Sequence, residues 1–141
     1  METSEIIEVL EEHNVRATAN RIELARQLSA AGRPMSLTEL EDEMPTVDKS
    51  NIFRSLTAFR EHHLVHVIED GSNGVRYELC LSHDHDHDDD QHSHFFCEVC
   101  LKTYCLEDIK IPQVELPAGY ELHSVNYVLK GVCPSCAAKR H

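Results

Sequence analysis

No stretch of this chain approaches the ~18 consecutive apolar residues that a membrane span requires. Its start, Met1-Glu-Thr-Ser-Glu-Ile-Ile7, is acidic and lacks the basic segment and apolar run of a secretory leader. A cytoplasmic protein with no membrane partner is therefore expected. Thiols stay reduced in that compartment, so six cysteines are read as ligands ahead of disulfides. Signatures of catalysis are missing too: there is no His-x-Glu to pair with the Pro-Cys-x-x-Cys near the C-terminus, no Gly-x-Ser-x-Gly and no phosphate loop. An enzyme is not expected. No internal repeat occurs.

Positive charge is also scarce. The formal net charge is −12, which taken as one number opposes nucleic-acid binding. Its distribution is uneven. Residues 1–68 hold seven Lys/Arg against twelve Asp/Glu, residues 69–91 one against eight, and residues 92–141 five of each. Much of the excess thus sits in one short segment. Any contact between the first half and DNA must rest on a few local arginines and on helix N-termini.

What is present describes two small units. At 141 residues, each would have a thin core and need a staple such as a metal or a partner chain. Thr3 or Ser4 is placed to cap a helix carrying Ile6, Ile7, Val9 and Leu10 that ends near Asn14. Thr18 caps a second, with Ile22, Ala25 and Leu28 on one face and Gly32 just past its end. Ser36-Leu-Thr-Glu39 has capping-box spacing ahead of Leu40, Met44 and Pro45. Asp48 or Ser50 opens a fourth helix, whose Ile52, Phe53, Leu56 and Phe59 recur at helical intervals. The period then changes to two: Val65 and Val67 alternate, Asp70 to Gly74 is a turn, and Val75, Tyr77 and Leu79 alternate again. Helices followed by a two-stranded hairpin describe a winged helix-turn-helix, although a small α+β domain that binds nothing fits the helical faces equally well.

Residues 82–94, Ser-His-Asp-His-Asp-His-Asp-Asp-Asp-Gln-His-Ser-His, cannot build a core and mark a boundary. Their His83, His85 and His87 are placed either to scavenge metal or to lie in a solvated insertion, the latter favoured because alternating His and Asp impose no fixed geometry. Short strands are expected around Phe95-Phe96 and Tyr104–Leu106, then a connection broken by Pro112 and Pro117, then a longer strand from Tyr120 to Leu129 that carries His123 and Val125.

The strongest signal is Cys97-Glu-Val-Cys100 with Cys133-Pro-Ser-Cys136. Two C-x-x-C turns present four thiolates, the donor set of a closed tetrahedral Zn2+ site with no open position for water. Such a site is structural, and fastening segments far apart in sequence offsets a small core.

With a helical reader, a His-x-His ahead of a C-x-x-C, and a terminal C-x-x-C, the chain resembles the ferric uptake regulator (Fur) superfamily from about Val15 to Cys136. Val15-Arg-Ala-Thr-Ala-Asn-Arg21 looks like that family's opening segment, and Lys49-Ser-Asn-Ile-Phe-Arg-Ser-Leu56 like its recognition-helix motif; Tyr77-Glu-Leu79 and His92-x-His94-x-x-Cys97-x-x-Cys100 follow in family order. The resemblance implies a homodimeric repressor that binds double-stranded DNA, an A/T-rich palindromic operator, when a regulatory metal is loaded. Ser50, Asn51 and Phe53 would then face bases and Arg54 the backbone, while Arg16, with Thr18 and Arg21 beside it, would approach the minor groove. Phe53 stands where the family has tyrosine. Core packing of Phe53 and a surface ion pair for Arg54 are the alternatives.

Sensing implies a second site that bridges the two units, with Glu78, Cys80, His92, His94 and Cys105 as donors. Glu78, His92 and His94 match family ligands, and Cys80 resembles a thiolate of the zinc-uptake-regulator branch. Two departures stand out: Pro34 where iron-type members often have histidine, and Cys105 where glutamate is usual. Thiolates with imidazoles favour Zn2+ over Fe2+, although Cys80 and Cys105 also fit as small buried residues. The helix that serves dimerisation in the family is interrupted here by Pro112 and Pro117. The expectation is an α+β protein: a winged-helix DNA-binding domain (1–80), a His/Asp-rich loop and hinge (81–94), and a metal-binding dimerisation domain (95–141). It is read as a repressor of metal-homeostasis genes that senses zinc. The alternatives are iron sensing, iron-dependent peroxide sensing, and a zinc-ribbon module that does not bind DNA.

Overall fold

The computed structural model describes residues 1–69, 74–79, 92–123 and 125–139. The chain divides into two compact units, Met1–Asp86 and His87–His141.

The first unit holds helices α1 (Thr3–Glu12), α2 (Ala19–Ala31), α3 (Leu37–Glu43) and α4 (Lys49–Glu61), with strands β1 (Met35–Ser36), β2 (Val65–Ile68) and β3 (Arg76–Leu79). Local chemistry sets most of the boundaries. Thr18 Oγ1 accepts the Arg21 N–H at the start of α2, and Gly32 closes that helix in the left-handed conformation, φ 63°. Ser36 and Glu39 form a reciprocal capping box on α3, and Asp48 accepts the Ser50 N–H at the start of α4. The first helix departs from expectation. Its N-cap is Glu2, without a side-chain cap, and the Thr3 hydroxyl accepts from the Arg26 guanidinium on α2.

The apolar periodicity of all four helices converges on one core. Leu10, Leu24, Leu40 and Phe59 are fully buried there, one from each helix. The expected two-stranded hairpin is a three-stranded sheet of order β1-β3-β2, in which β1 adds Met35 opposite Tyr77. A two-residue strand is too short to show an alternating pattern, which is why periodicity misses it. Glu39 ties this sheet to the helices. Its carboxylate pairs with Arg33 at 2.7 Å and with Arg76 of β3, while its Oε1 also accepts the Ser36 N–H at 3.3 Å.

The second unit holds β4 (His92–Cys97), β5 (Thr103–Lys110), β6 (Val128–Gly131) and α5 (Pro134–Ala138). β4 is central, antiparallel to β5 and parallel to β6. Two expectations are corrected here. His92 to His94 belong to a strand and not to the hinge. The long strand over Tyr120–Leu129 is replaced by β6, so His123 and Val125 precede the strand and do not share a face of it. A short helix, α5, follows Cys133 with Pro134 in its first turn. Among the described residues of the segment between β5 and β6 there is no helix, in keeping with Pro112 and Pro117. The buried cluster of this unit is built from Cys97, Cys133 and Cys136, with Cys100, Tyr104 and Val132 packed against it. Cys80 and the loop with His83, His85 and His87 lie outside the described residues.

The Glu39 carboxyl yields a pH prediction. Burial alone would raise its pKa; the Arg33 hydrogen bond, the Ser36 N–H and the charges of Arg33 and Arg76 outweigh burial and hold it below 4.5. A depressed folded-state value stabilises fully above the unfolded value and loses that contribution as pH falls through the folded one. Thermal melts of the full chain between neutral pH and pH 3 should therefore show the first unit losing stability below about pH 4.5. In Glu39→Gln the acid-dependent part should be smaller. An identical profile would show that this carboxylate plays no such role.

Candidate metal centre and nucleic-acid-binding helix

Strand direction brings the two Cys-x-x-Cys segments together. In the parallel β4–β6 pair Cys97 lies opposite Gly131, so both strands end at the same edge of the sheet. The knuckle Cys97–Cys100 turns out of β4, and Cys133 follows β6 by two residues. Leu101 adopts a left-handed φ of 61° after the first knuckle, and its N–H donates to the Cys97 carbonyl at 2.9 Å. The backbone passes close to the Phe95 ring at Gly131, where a Cβ would crowd it at 3.1 Å. The Gly131 carbonyl accepts the Glu98 N–H at 2.8 Å, fastening the knuckle to β6.

The four sulfurs lie within 4.8 Å of one another. Cys97, Cys133 and Cys136 are buried and Cys100 is half-exposed. Burial would raise the Cys97 thiol, but N–H groups of Cys100, Cys133 and Val99 point at its sulfur and bring it down to about 6; the Cys100 and Cys133 donors stand at 3.4 Å. Cys133 is lowered by the Cys136 N–H, despite burial. Cys136 goes the other way, pushed up to about 12 by burial and by hydrogen bonds with Cys133, Cys97 and Cys100. Four adjacent thiols cannot all surrender their protons without a compensating charge. A divalent cation would supply it, and four sulfurs at this spacing with N–H groups aimed at thiolate fit Zn2+.

The other donors identified from sequence are dispersed over several strands. His94, buried on β4, is the direct cross-strand partner of half-buried Cys105 on β5, and their ligand atoms lie within 4.8 Å. The His94 N–H is held by the Tyr127 carbonyl at 3.0 Å. The register of β4 and β5 shifts between His92 and Ser93, a bulge beside the donor pair. Glu78 sits on β3 directly opposite His66 of β2. Sequence reasoning overlooked His66 because the alternation of β2 drew attention to Val65 and Val67. Pro34 is fully buried and offers no donor.

On α4 the outward face is polar at its start. Ser50, Phe53, Arg54 and Thr57 are exposed and Asn51 half-exposed, while Ile52, Ser55, Leu56 and Phe59 point to the core. Phe53 is 53% exposed, so the core-packing alternative for it is set aside. The Arg54 guanidinium donates to Asn51 Oδ1 at 2.8 Å and to the Ser50 carbonyl at 3.3 Å, which holds three candidate contact residues in one array. Lys49, Thr57 and Arg60 share exposure on this helix and were not singled out from sequence, though Thr57 is reachable as the i+4 neighbour of Phe53. Ahead of α2, Arg21 donates to the Arg16 carbonyl at 3.3 Å and Thr18 caps the helix. Both thereby shape the turn that leaves the Arg16 side chain exposed. Among the described residues no helix is long and apolar enough to cross a membrane.

Comparison with known proteins places this geometry in a family. The ferric uptake regulator family model matches residues 4–129. A curated relative, the peroxide operon regulator of Bacillus subtilis (strain 168), is 26% identical over 148 residues, covering 99% of this chain and 97% of the relative. Two solved structures share the fold at low identity. One is a zinc uptake regulator complexed with zinc and DNA: TM-score 0.65, 19% identity, 98% of this chain and 94% of the other covered. The second is the ferric uptake regulator of Helicobacter pylori: TM-score 0.60, 18% identity, 97% and 95% covered. The chain belongs to the ferric uptake regulator family of metal-responsive transcriptional regulators, with an α+β fold that ends in a four-cysteine cluster.

Proposed function

We propose that this protein is a zinc-sensing repressor, a homodimer that binds an A/T-rich palindromic operator and is gated by a regulatory metal distinct from the one held by Cys97, Cys100, Cys133 and Cys136. The observation that carries the choice of metal is the cross-strand pairing of His94 with Cys105. An imidazole beside a thiolate is a soft donor pair, suited to Zn2+ and poorly suited to an octahedral ferrous site. Further donors are assigned to Glu78, Cys80 and His92. The four-cysteine cluster holds a structural Zn2+, whose chemistry is to cross-link and not to react.

DNA reading is assigned to Ser50, Asn51, Phe53 and Arg54 on α4, supported by their exposure at the N-terminal end of a capped helix. An exposed aromatic edge suits contact with a thymine methyl group. Arg16, with Thr18 and Arg21 shaping its turn, supplies the minor-groove contact. In a chain of net charge −12 these contacts are local, and affinity depends on them individually.

A mobility-shift titration with an A/T-rich palindromic duplex tests the function. Binding should appear with added zinc and vanish with excess chelator; no metal-dependent shift at moderate salt would favour a zinc-ribbon module. Phe53→Ala should weaken binding roughly tenfold, about one base contact, while stability stays within about 0.5 kcal/mol because the ring is exposed. Cys105→Ser and Cys80→Ser should keep the fold and raise the zinc concentration needed for binding. An unchanged threshold in both would remove the zinc-sensing assignment.

For the structural metal, Cys97→Ser should abolish tightly held zinc and unfold the second unit, while the helical signal of the first unit persists. Elemental analysis and far-ultraviolet circular dichroism read the two parts.

A second reading, peroxide sensing, is raised by the Bacillus subtilis relative. Mass spectrometry after a peroxide challenge separates the two. No added oxygen on the peptide holding His92 and His94 is expected for a zinc sensor, whereas an added oxygen would favour iron-based peroxide sensing.

A further inference from the structure

The four cysteines are not equally protected. Cys97, Cys133 and Cys136 are buried, and Cys100 is the half-exposed member. Backbone donors serve two of the buried ones: N–H groups of Cys100 and Cys133 converge on the Cys97 sulfur, and that of Cys136 on the Cys133 sulfur. Cys100, the corner most open to protons and competing ligands, is approached by a side chain instead. Tyr104, on β5 four residues further on, sets its hydroxyl 3.5 Å from Cys100 Sγ and 3.9 Å from Cys133 Sγ. Those two sulfurs come from different knuckles and stand 3.9 Å apart. One phenol therefore touches both halves of the cluster, and its ring packs half-buried against it.

The direction of the bond follows from the chemistry. A metal-bound thiolate has no proton to give, so the tyrosine O–H donates and the sulfur accepts. Four thiolates around one divalent cation leave net negative charge, and a hydrogen bond draws charge off the sulfur that receives it. A sulfur so held is less basic, hence slower to be protonated or displaced, and outer hydrogen bonds of this kind shift metal retention by about 10- to 100-fold.

We propose that Tyr104 is a positioning residue for the four-cysteine metal, its hydroxyl shielding the Cys100–Cys133 edge and slowing zinc loss there. This rests on reading the cluster as a zinc site. The role belongs to the hydroxyl and not to the ring, so Tyr104→Phe isolates it.

The test uses the full zinc-loaded chain and follows zinc transfer to a chromophoric chelator at neutral pH. Y104F should release zinc about tenfold faster and half-release it at a higher pH than wild type. After cobalt substitution, the thiolate-to-cobalt charge-transfer band should move in Y104F, a change that loss of packing alone would not cause. Equal release rates together with an unmoved band would overturn the proposal. Wild-type protein without stoichiometric zinc would instead sink the zinc reading itself, so the two failures are distinguishable. Should Y104F not fold, the measurement is made on wild-type sequence grown with 3-fluorotyrosine, whose more acidic phenol is the stronger donor. Slower release than with ordinary tyrosine supports the role, and an unchanged rate refutes it.

Discussion

Four sulfur atoms at one edge of a three-stranded sheet are the constraint on which the second unit depends. Its strands are short, and its buried cluster consists of Cys97, Cys133 and Cys136 with few apolar side chains around them. Burial of so little apolar surface cannot by itself offset the entropy of ordering the chain. The thiols are not alike: backbone N–H groups hold Cys97 low, whereas burial pushes Cys136 up. A single divalent cation bound there would compensate the charge of four thiolates and tie Cys97–Cys100 to Cys133–Cys136. Parallel pairing of β4 with β6 makes this possible, because parallel strands deliver their following turns to the same end.

The first unit is stabilised by different means. Leu10, Leu24, Leu40 and Phe59 close an apolar core that asks for no metal, and Glu39 locks β3 to the start of α3 through Arg76. The outward face of α4 thus rests on a core built without the four cysteines. The outward face of α4 gains further order from Arg54, which bonds both Asn51 and Ser50. The four-cysteine cluster and the exposed face of α4 thus draw on separate sources of stability.

Much of this was legible in the chain because it is set by local chemistry. Thr18, Ser36 with Glu39, Asp48 and Gly32 announce helix ends through hydrogen bonds spanning two to three residues or through backbone freedom at one. Paired Cys-x-x-Cys spacing announces a shared ion because few other arrangements use four thiols so spaced. Where local signals failed, a distant partner decided. The Thr3 hydroxyl meets Arg26, twenty-three residues away, and α1 starts after Glu2 without a side-chain cap. β1 exists only as a partner of β3, and β6 begins eight residues later than the run from Tyr120 implies.

Sequence alone therefore determined the order of the helices, most of the side chains they bury, the paired Cys-x-x-Cys pattern and membership of a recognisable family, since each is carried by spacing along the chain. Tertiary structure decided that Phe53 faces outward, that His94 stands across from Cys105 and His66 across from Glu78, and that Tyr104 reaches two sulfurs from different knuckles. Strand register and helix facing are collective outcomes of packing, fixed when whole elements meet, and no short window of residues contains them.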